Sequence, residues 1–149
     1  LEEVAYVEVD ELLSIDGFDE DTATELQARA RDKLEAINTA ALDAARALGA
    51  EDSLITFEGL TPQMIEVLAK DDVKTLEDFA TCADWELAGG WTTVDGQRIK
   101  DDGLLEHLEM SLEEAYAYTG AAMAENMLFR DTEEGISAFL EKRTPTWEQ

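Results

Sequence analysis

The chain has little with which to do catalytic or metal chemistry. Among 149 residues there is one cysteine and one histidine. The single thiol, Cys82, excludes an internal disulfide and fits a reducing cytosol. A zinc site or a Cys–His pair would rest on Cys82 and His107 alone, which is too few ligands for a metal. A Gly-rich phosphate loop, a serine elbow and a paired-histidine signature are all missing. Bases are scarce too: 11 against 36 acids, for a formal net charge of −25. Such a surface repels nucleic acid and anionic lipid and attracts basic protein. No apolar run approaches the roughly 18 residues of a membrane span, and nothing resembles a signal peptide, so a cytoplasmic protein is expected. Hydrophobic residues still make up 45% of the chain, which is too much for simple disorder. The length suffices for one ordinary core or two small ones.

A short pattern occurs twice. Leu12-Leu13-Ser14-Ile15-Asp16-Gly17-Phe18-Asp19-Glu20 leads into a helix carrying Ala23 and Leu26. Forty-two positions later Leu54, Phe57, Gly59, Leu60 and Leu68 stand for Leu12, Ile15, Gly17, Phe18 and Leu26. A helix ends on an apolar residue, glycine takes the left-handed conformation, and a cap starts the next helix. The second start is the clearer, with Thr61 as N-cap and Pro62 at the first helical position, where a missing N–H costs nothing. This is a helix–hairpin–helix pattern. A second echo links Leu1-Glu2-Glu3-Val4-Ala5 to Leu76-Glu77-Asp78-Phe79-Ala80, seventy-five positions on, with Leu12 matched by Leu87. The two distances suggest a unit of two hairpins, entered halfway through its first copy.

In chain order, Asp19 to Leu48 reads as one long helix stopped by Gly49, with an apolar stripe of Leu26, Ala30, Leu34, Ile37, Ala41 and Ala45. Its alanine-rich part, Asn38 to Arg46, is read as a helical linker; close packing of those alanines on a neighbour is the alternative. A short helix, Gly59, a helix over Pro62–Lys70, a turn at Asp71-Asp72 and a helix from Leu76 follow. Thr92-Thr93-Val94 and Gln97-Arg98-Ile99 flank Asp95-Gly96 as a small β-hairpin. Trp91 beside it is expected to cover the core edge. Ser111 with Glu114 is a capping box. The helix from Ser111 to Phe129 has a small-residue face of Ala115, Thr119, Ala122 and Asn126. Asp131 with Glu134 caps a last helix carrying Ile136, Phe139, Leu140 and Arg143, which Thr144-Pro145 ends, leaving Trp147 near the terminus. Residues 1–110 hold 28 acids and 8 bases; residues 111–149 hold 8 and 3.

A helix–hairpin–helix usually offers its glycine turn and helix N-terminus to a phosphate. Here Asp16, Asp19, Glu20 and Asp21 surround Gly17, so phosphate binding is not expected and the motif serves packing. Asp19, Asp21 and Glu25 lack the spacing of a calcium loop and read as first-turn acids complementing the helix dipole.

Residues 1 to about 110 resemble the C-terminal acidic-repeat region of the bacterial transcription factor NusA. The resemblance lies in LEEVAYVEVDELLSIDGFDEDTATELQARARDKLEAIN, LITFEGLTPQMIEVLAKDDVKTLEDFATCADWEL, and the GW and DGLLEHLEMSLEEA segments. It implies helical, non-catalytic repeats that contact the RNA polymerase α C-terminal domain or phage antitermination proteins. The tail departs from that pattern. AYAYTGAAMAENMLFRDTEEGISAFLEKRTPTW is similar to the C-terminal helices of the crotonase family, the enoyl-CoA hydratases and isomerases, most specifically over Glu134 to Trp147. That similarity implies trimer-building helices, with Phe139 and Lys142 near coenzyme A; ordinary dipole complementation is the preferred reading of Lys142 and Arg143. The crotonase body is absent from the sequence.

The expectation is an all-α protein of tandem helix–hairpin–helix repeats with a C-terminal helical extension. Its segments are 1–38, the second half of a first acidic repeat; 39–51, a helical linker; 52–110, a second acidic repeat; and 111–149, the crotonase-like tail. The expected function is non-enzymatic, with no cofactor: binding of basic protein surfaces such as the RNA polymerase α C-terminal domain, in transcription elongation, termination or antitermination. Direct nucleic-acid or membrane binding is not expected. The alternative is a crotonase-like fragment acting in oligomerisation or acyl-CoA contact, and a third reading is a chimeric or designed helical protein without native activity. Asp16, Asp19, Glu20, Glu58, Asp71 and Asp72 are the candidate charge-steering residues. Phe18, Leu60 and Met64 are candidate apolar anchors, with core packing as their alternative.

Overall fold

Three times along the chain a short helix leads through a turn into a capped longer helix. A computed structural model describes residues 1–127 and 130–146, without the side chains of 130–133. The first pair is α2 (Val9–Leu13) and α3 (Glu20–Ala47), preceded by α1 (Glu2–Tyr6). The second is α4 (Asp52–Ile55) and α5 (Pro62–Lys70). The third is α7 (Asp84–Ala88) and α8 (Leu112–Asn126), preceded by α6 (Leu76–Thr81), and α9 (Arg130–Glu141) closes the chain. The protein is mostly helical; among the described residues the exception is a two-stranded antiparallel sheet, β1 (Gly90–Val94) and β2 (Gln97–Asp101).

Caps explain where the long helices begin. Asp19 accepts the Thr22 N–H at 2.8 Å and Thr61 accepts that of Met64 at 3.3 Å. Ser111 accepts the Glu114 N–H at 3.2 Å while the Glu114 carboxylate accepts the Ser111 N–H at 2.9 Å. Each bond satisfies a backbone donor that the first helical turn leaves open. The same positions then point inward in all three helices. Ala23, Ile65 and Ala115, four after each cap, are buried, as are Gln27, Ala69 and Thr119, eight after. Leu12, Leu54 and Leu87 of the short helices are buried with them.

The third pair differs by an insertion. Leu12 and Asp19, like Leu54 and Thr61, are seven apart, whereas Leu87 and Ser111 are 24 apart. The extra chain is the β-hairpin and a 3-10 turn at Glu106–Leu108. Asp95 and Gly96 have φ of 51° and 78°, the mirror-image turn that matches strand twist, and Val94 pairs with Gln97. The chain then returns to α7: Leu104 N–H donates to Glu86 O at 2.9 Å and Leu105 N–H to Leu87 O at 2.8 Å. Trp91 does not cover the core. It is 59% exposed, with Arg98 stacked 5.0 Å from its ring. Strand alternation puts it beside Arg98 on one face of the hairpin.

The core is built on Leu54, Ile65, Leu68, Leu76, Phe79, Leu87 and Leu105, each under 2% exposed. Ala115 and Ala122 set α8 down on α6 and α7, as the small-residue face requires. The stripe of α3 is rotated from the expected one. Ala23, Gln27, Ala30, Leu34, Ala41 and Ala45 are buried, while Leu26 and Ile37 stand at its edge, partly in water. Gln27 is stationed there because Val7 O accepts from its Nε2 at 2.6 Å. In the alanine-rich stretch, Ala41 and Ala45 are buried where α3 passes α5, and Ala45 belongs to the core, which is the close-packing alternative at those residues. Asp131 as a cap and Trp147 lie outside what is described.

Candidate interaction surfaces

The six expected steering carboxylates are all exposed, but they do not form one patch. Asp16, Asp19 and Glu20 surround the first turn. Asp19 is held below the usual carboxylate range by its bonds to Thr22. Glu58 lies in a separate groove beside Gly59, Tyr118 and Glu125. Asp71 and Asp72 end α5, with Asp72 in the left-handed region at φ 65° and bonded to Lys74 at 2.7 Å.

Asp71 and Asp72 also line a cleft of about 620 Å³ that sequence reasoning missed. Asp78 and Glu86 of α6 and α7 and Asp101 and Asp102 of the hairpin face into it, with Cys82, Trp85 and Leu104. Its carboxylates come from residues 71 to 102, and only the insertion folding back on α7 brings Asp101 and Asp102 to the others; no local pattern carries that signal. Burial, then the charges of Glu86, Asp78 and Asp71, push the Cys82 thiol up to about 11, so it stays protonated and is no nucleophile at neutral pH. His107 lines a different groove with Glu109 and Met64. The Cys–His pair is therefore not assembled, and among the described residues no three His, Cys, Asp or Glu side chains are grouped so that they could hold a metal ion.

The apolar anchors divide. Leu60 is buried in the core and is not available as a surface anchor, because the chain after Gly59 turns it inward. Phe18 and Met64 are half-buried.

The tail presents more apolar surface than these. Phe139 is 81% and Leu140 73% exposed, with Ile136 at 48%, on one side of α9. Lys142, at φ 53°, occupies the position after the helix where glycine is usual. Its N–H donates to Phe139 O, and that of Arg143 to Ala138 O at 3.0 Å. Glu134 then ties the end down: Arg143 Nη2 donates to it at 2.8 Å and the Thr146 N–H at 2.7 Å.

Arg143, then Thr146, hold the Glu134 carboxyl down at about 2, against an ordinary value of 4.5. A depressed folded value means that the clasp is complete above about pH 4.5 and is lost as pH falls toward 2. A carbon-detected titration of Glu134 is expected to show a midpoint near 2 that returns toward 4.5 in Arg143→Ala. An unshifted midpoint in the unmodified protein rules the clasp out.

Comparison with known proteins finds no matching family model and no matching solved structure. The chain is 52% identical over 40 residues to the zebrafish (Danio rerio) enoyl-CoA hydratase domain-containing protein 3, mitochondrial, which is 27% of this chain and 14% of that protein. To the human (Homo sapiens) protein of the same name it is 48% identical over 42 residues, 28% of this chain and 14% of that protein. No helix among the described residues is long and apolar enough to cross a membrane. The chain thus spans about 14% of the length of these relatives, and that short stretch supports the crotonase-like reading of the tail.

Proposed function

We propose that the chain is a non-catalytic association protein, held in an oligomer by its crotonase-like C-terminal segment through the exposed side of α9. The observation that carries this is the row Ile136, Phe139 and Leu140, left in water on a helix with the short enoyl-CoA hydratase similarity in support. Covering such residues stabilises by roughly 1.5–3 kcal/mol for a fully buried side chain. On the same reading Phe139 and Lys142 stand where the coenzyme A portion of an acyl-CoA would lie, at a subunit boundary. Sedimentation at low and high salt tests the assembly. An oligomer that persists in high salt and becomes a monomer in the Phe139→Ser, Leu140→Ser double variant is expected. A monomer at both salts sinks this reading.

Charge favours a second reading for the rest of the chain. With net −20 over residues 1–110 and all six steering carboxylates in water, this part is an acidic module for a basic protein surface. Residues 1–38 and 52–110 then act as helix–hairpin–helix repeats of the NusA type, in transcription elongation, termination or antitermination, with the RNA polymerase α C-terminal domain as partner. An NMR titration with that domain is expected to shift residues 52–110, less so as salt rises. Absence of shifts at low salt removes it.

A further inference from the structure

The chain contains three Asp-Gly pairs: Asp16-Gly17, Asp95-Gly96 and Asp102-Gly103. In such a pair the glycine nitrogen can close a five-membered ring on the aspartate carboxyl, and without a Cβ the glycine does not hinder it. All three aspartates stand in water, so exposure does not rank them. The receiving nitrogen does. Among the described residues the N–H groups of Gly17 and Gly96 make no hydrogen bond, and a Cβ added at either glycine meets nothing within 4 Å. There the Asp16 and Asp95 carboxyls also lack an ion pair or hydrogen bond. Gly103 is held instead. Its N–H donates to Glu106 Oε2 at 3.3 Å, and an added Cβ would fall on the backbone of Ala88 and Gly89. Leu104 and Leu105, next in the chain, are bonded to Glu86 O and Leu87 O, and Lys100 Nζ lies 3.5 Å from Asp102 Oδ1.

We propose that Asp16 and Asp95 are isoaspartate-forming modification sites in the folded protein, and that the fold shields Asp102. The step is an isomerisation and needs only water. The glycine nitrogen bonds to Cγ of the protonated aspartate carboxyl, and the nitrogen's proton and the carboxyl's hydroxyl leave as water. Water then adds to the ring carbonyl that was the aspartate's main-chain carbonyl, and the C–N bond there breaks. The chain now runs through Cγ, one carbon longer, and the former main-chain carbonyl is a free carboxylate. At Asp95 the extra carbon enters a turn that closes with two residues, so Val94 loses its pairing with Gln97. At Asp16 it opens the turn that Phe18 N–H closes on Ile15 O at 3.1 Å. Neither change needs a partner or the tail.

The test ages the full chain, folded, at neutral pH for several weeks. A methyltransferase specific for isoaspartyl carboxylates, with labelled S-adenosylmethionine, counts the product, and peptide mass spectrometry places it. Isoaspartate at 16 and at 95 is expected to exceed that at 102 at least tenfold. In urea, where no fold distinguishes the three pairs, similar rates are expected at all of them. Gly96→Ala is expected to slow the reaction at Asp95 severalfold and leave Asp16 unchanged. In the fraction modified at Asp95, the Thr92 and Ile99 amides are expected to lose protection from exchange. Asp102 keeping pace in the folded chain overturns the proposal, as does either Asp16 or Asp95 remaining unmodified there. So does an Asp102 that stays slow in urea, because the fold is then not its shield.

Discussion

Phe79→Ala is expected to lower the unfolding free energy by about 3–5 kcal/mol, the cost of deleting a buried ring and leaving a cavity. Phe79 is fully buried, and its ring is tilted 55° against that of Phe57, the geometry in which aromatic edges meet faces. It is also the inward residue of a six-residue helix, α6, too short to persist without packing. Removing it therefore loosens both α6 and the seat of α8. A domain of this size has about 5–15 kcal/mol in total, and self-repulsion at net −25 reduces the margin at low salt. Urea unfolding followed by far-ultraviolet circular dichroism measures the loss. Tyr116→Ala is the control, because a 74% exposed ring has little to lose. A loss below about 1 kcal/mol at Phe79, less than an ordinary buried methyl costs, would show that the core is not centred there.

Gly103→Ala is expected to cost about 3 kcal/mol, the upper end for overpacking. A Cβ at Gly103 falls on the backbone of Ala88 and Gly89 and 2.5 Å from Leu87 O, and backbone cannot swing aside as a side chain does. The alternative to collision is that the returning strand lifts from α7. Lifting breaks the bonds from Leu104 to Glu86 and from Leu105 to Leu87, and draws the fully buried Leu105 out of the core. Gly96 makes the contrast. A Cβ there meets nothing, and the only penalty is its positive φ of 78°, about 1 kcal/mol. Amide exchange distinguishes the two. Leu104 and Leu105 are expected to lose protection in Gly103→Ala and keep it in Gly96→Ala. Equal protection in both variants contradicts the close approach.

These two sites also mark how far local signals reach. The β-hairpin was legible because Asp95-Gly96 can take the mirror-image turn without strain, a matter of two residues. The glycine at 103 carried no such signal, since its requirement comes from Leu87 to Gly89, brought back beside it by the fold. The acidic cleft was hidden for the same reason. Asp71, Asp78, Glu86 and Asp101 are ordinary solvated acids in sequence and become one surface only when the insertion closes on α7.

By itself the sequence determined the helices and their ends. Asp19, Thr61 and Ser111 cap as their side chains permit, Gly49 stops α3 at a φ of 98°, and Ala115, Thr119 and Ala122 leave a flat face for close approach. Caps, turns and small side chains act within a few residues, so a linear reading reaches them. Tertiary structure decided which apolar residues are covered. Leu26 and Leu68 hold equivalent places after their turns, yet Leu68 is fully buried and Leu26 is 37% exposed. Leu60 went to the core and Phe139 to water, though both are large apolar residues. Burial is a property of the neighbour across the interface, and that neighbour is chosen by packing over the whole chain, not by the spacing around the residue itself.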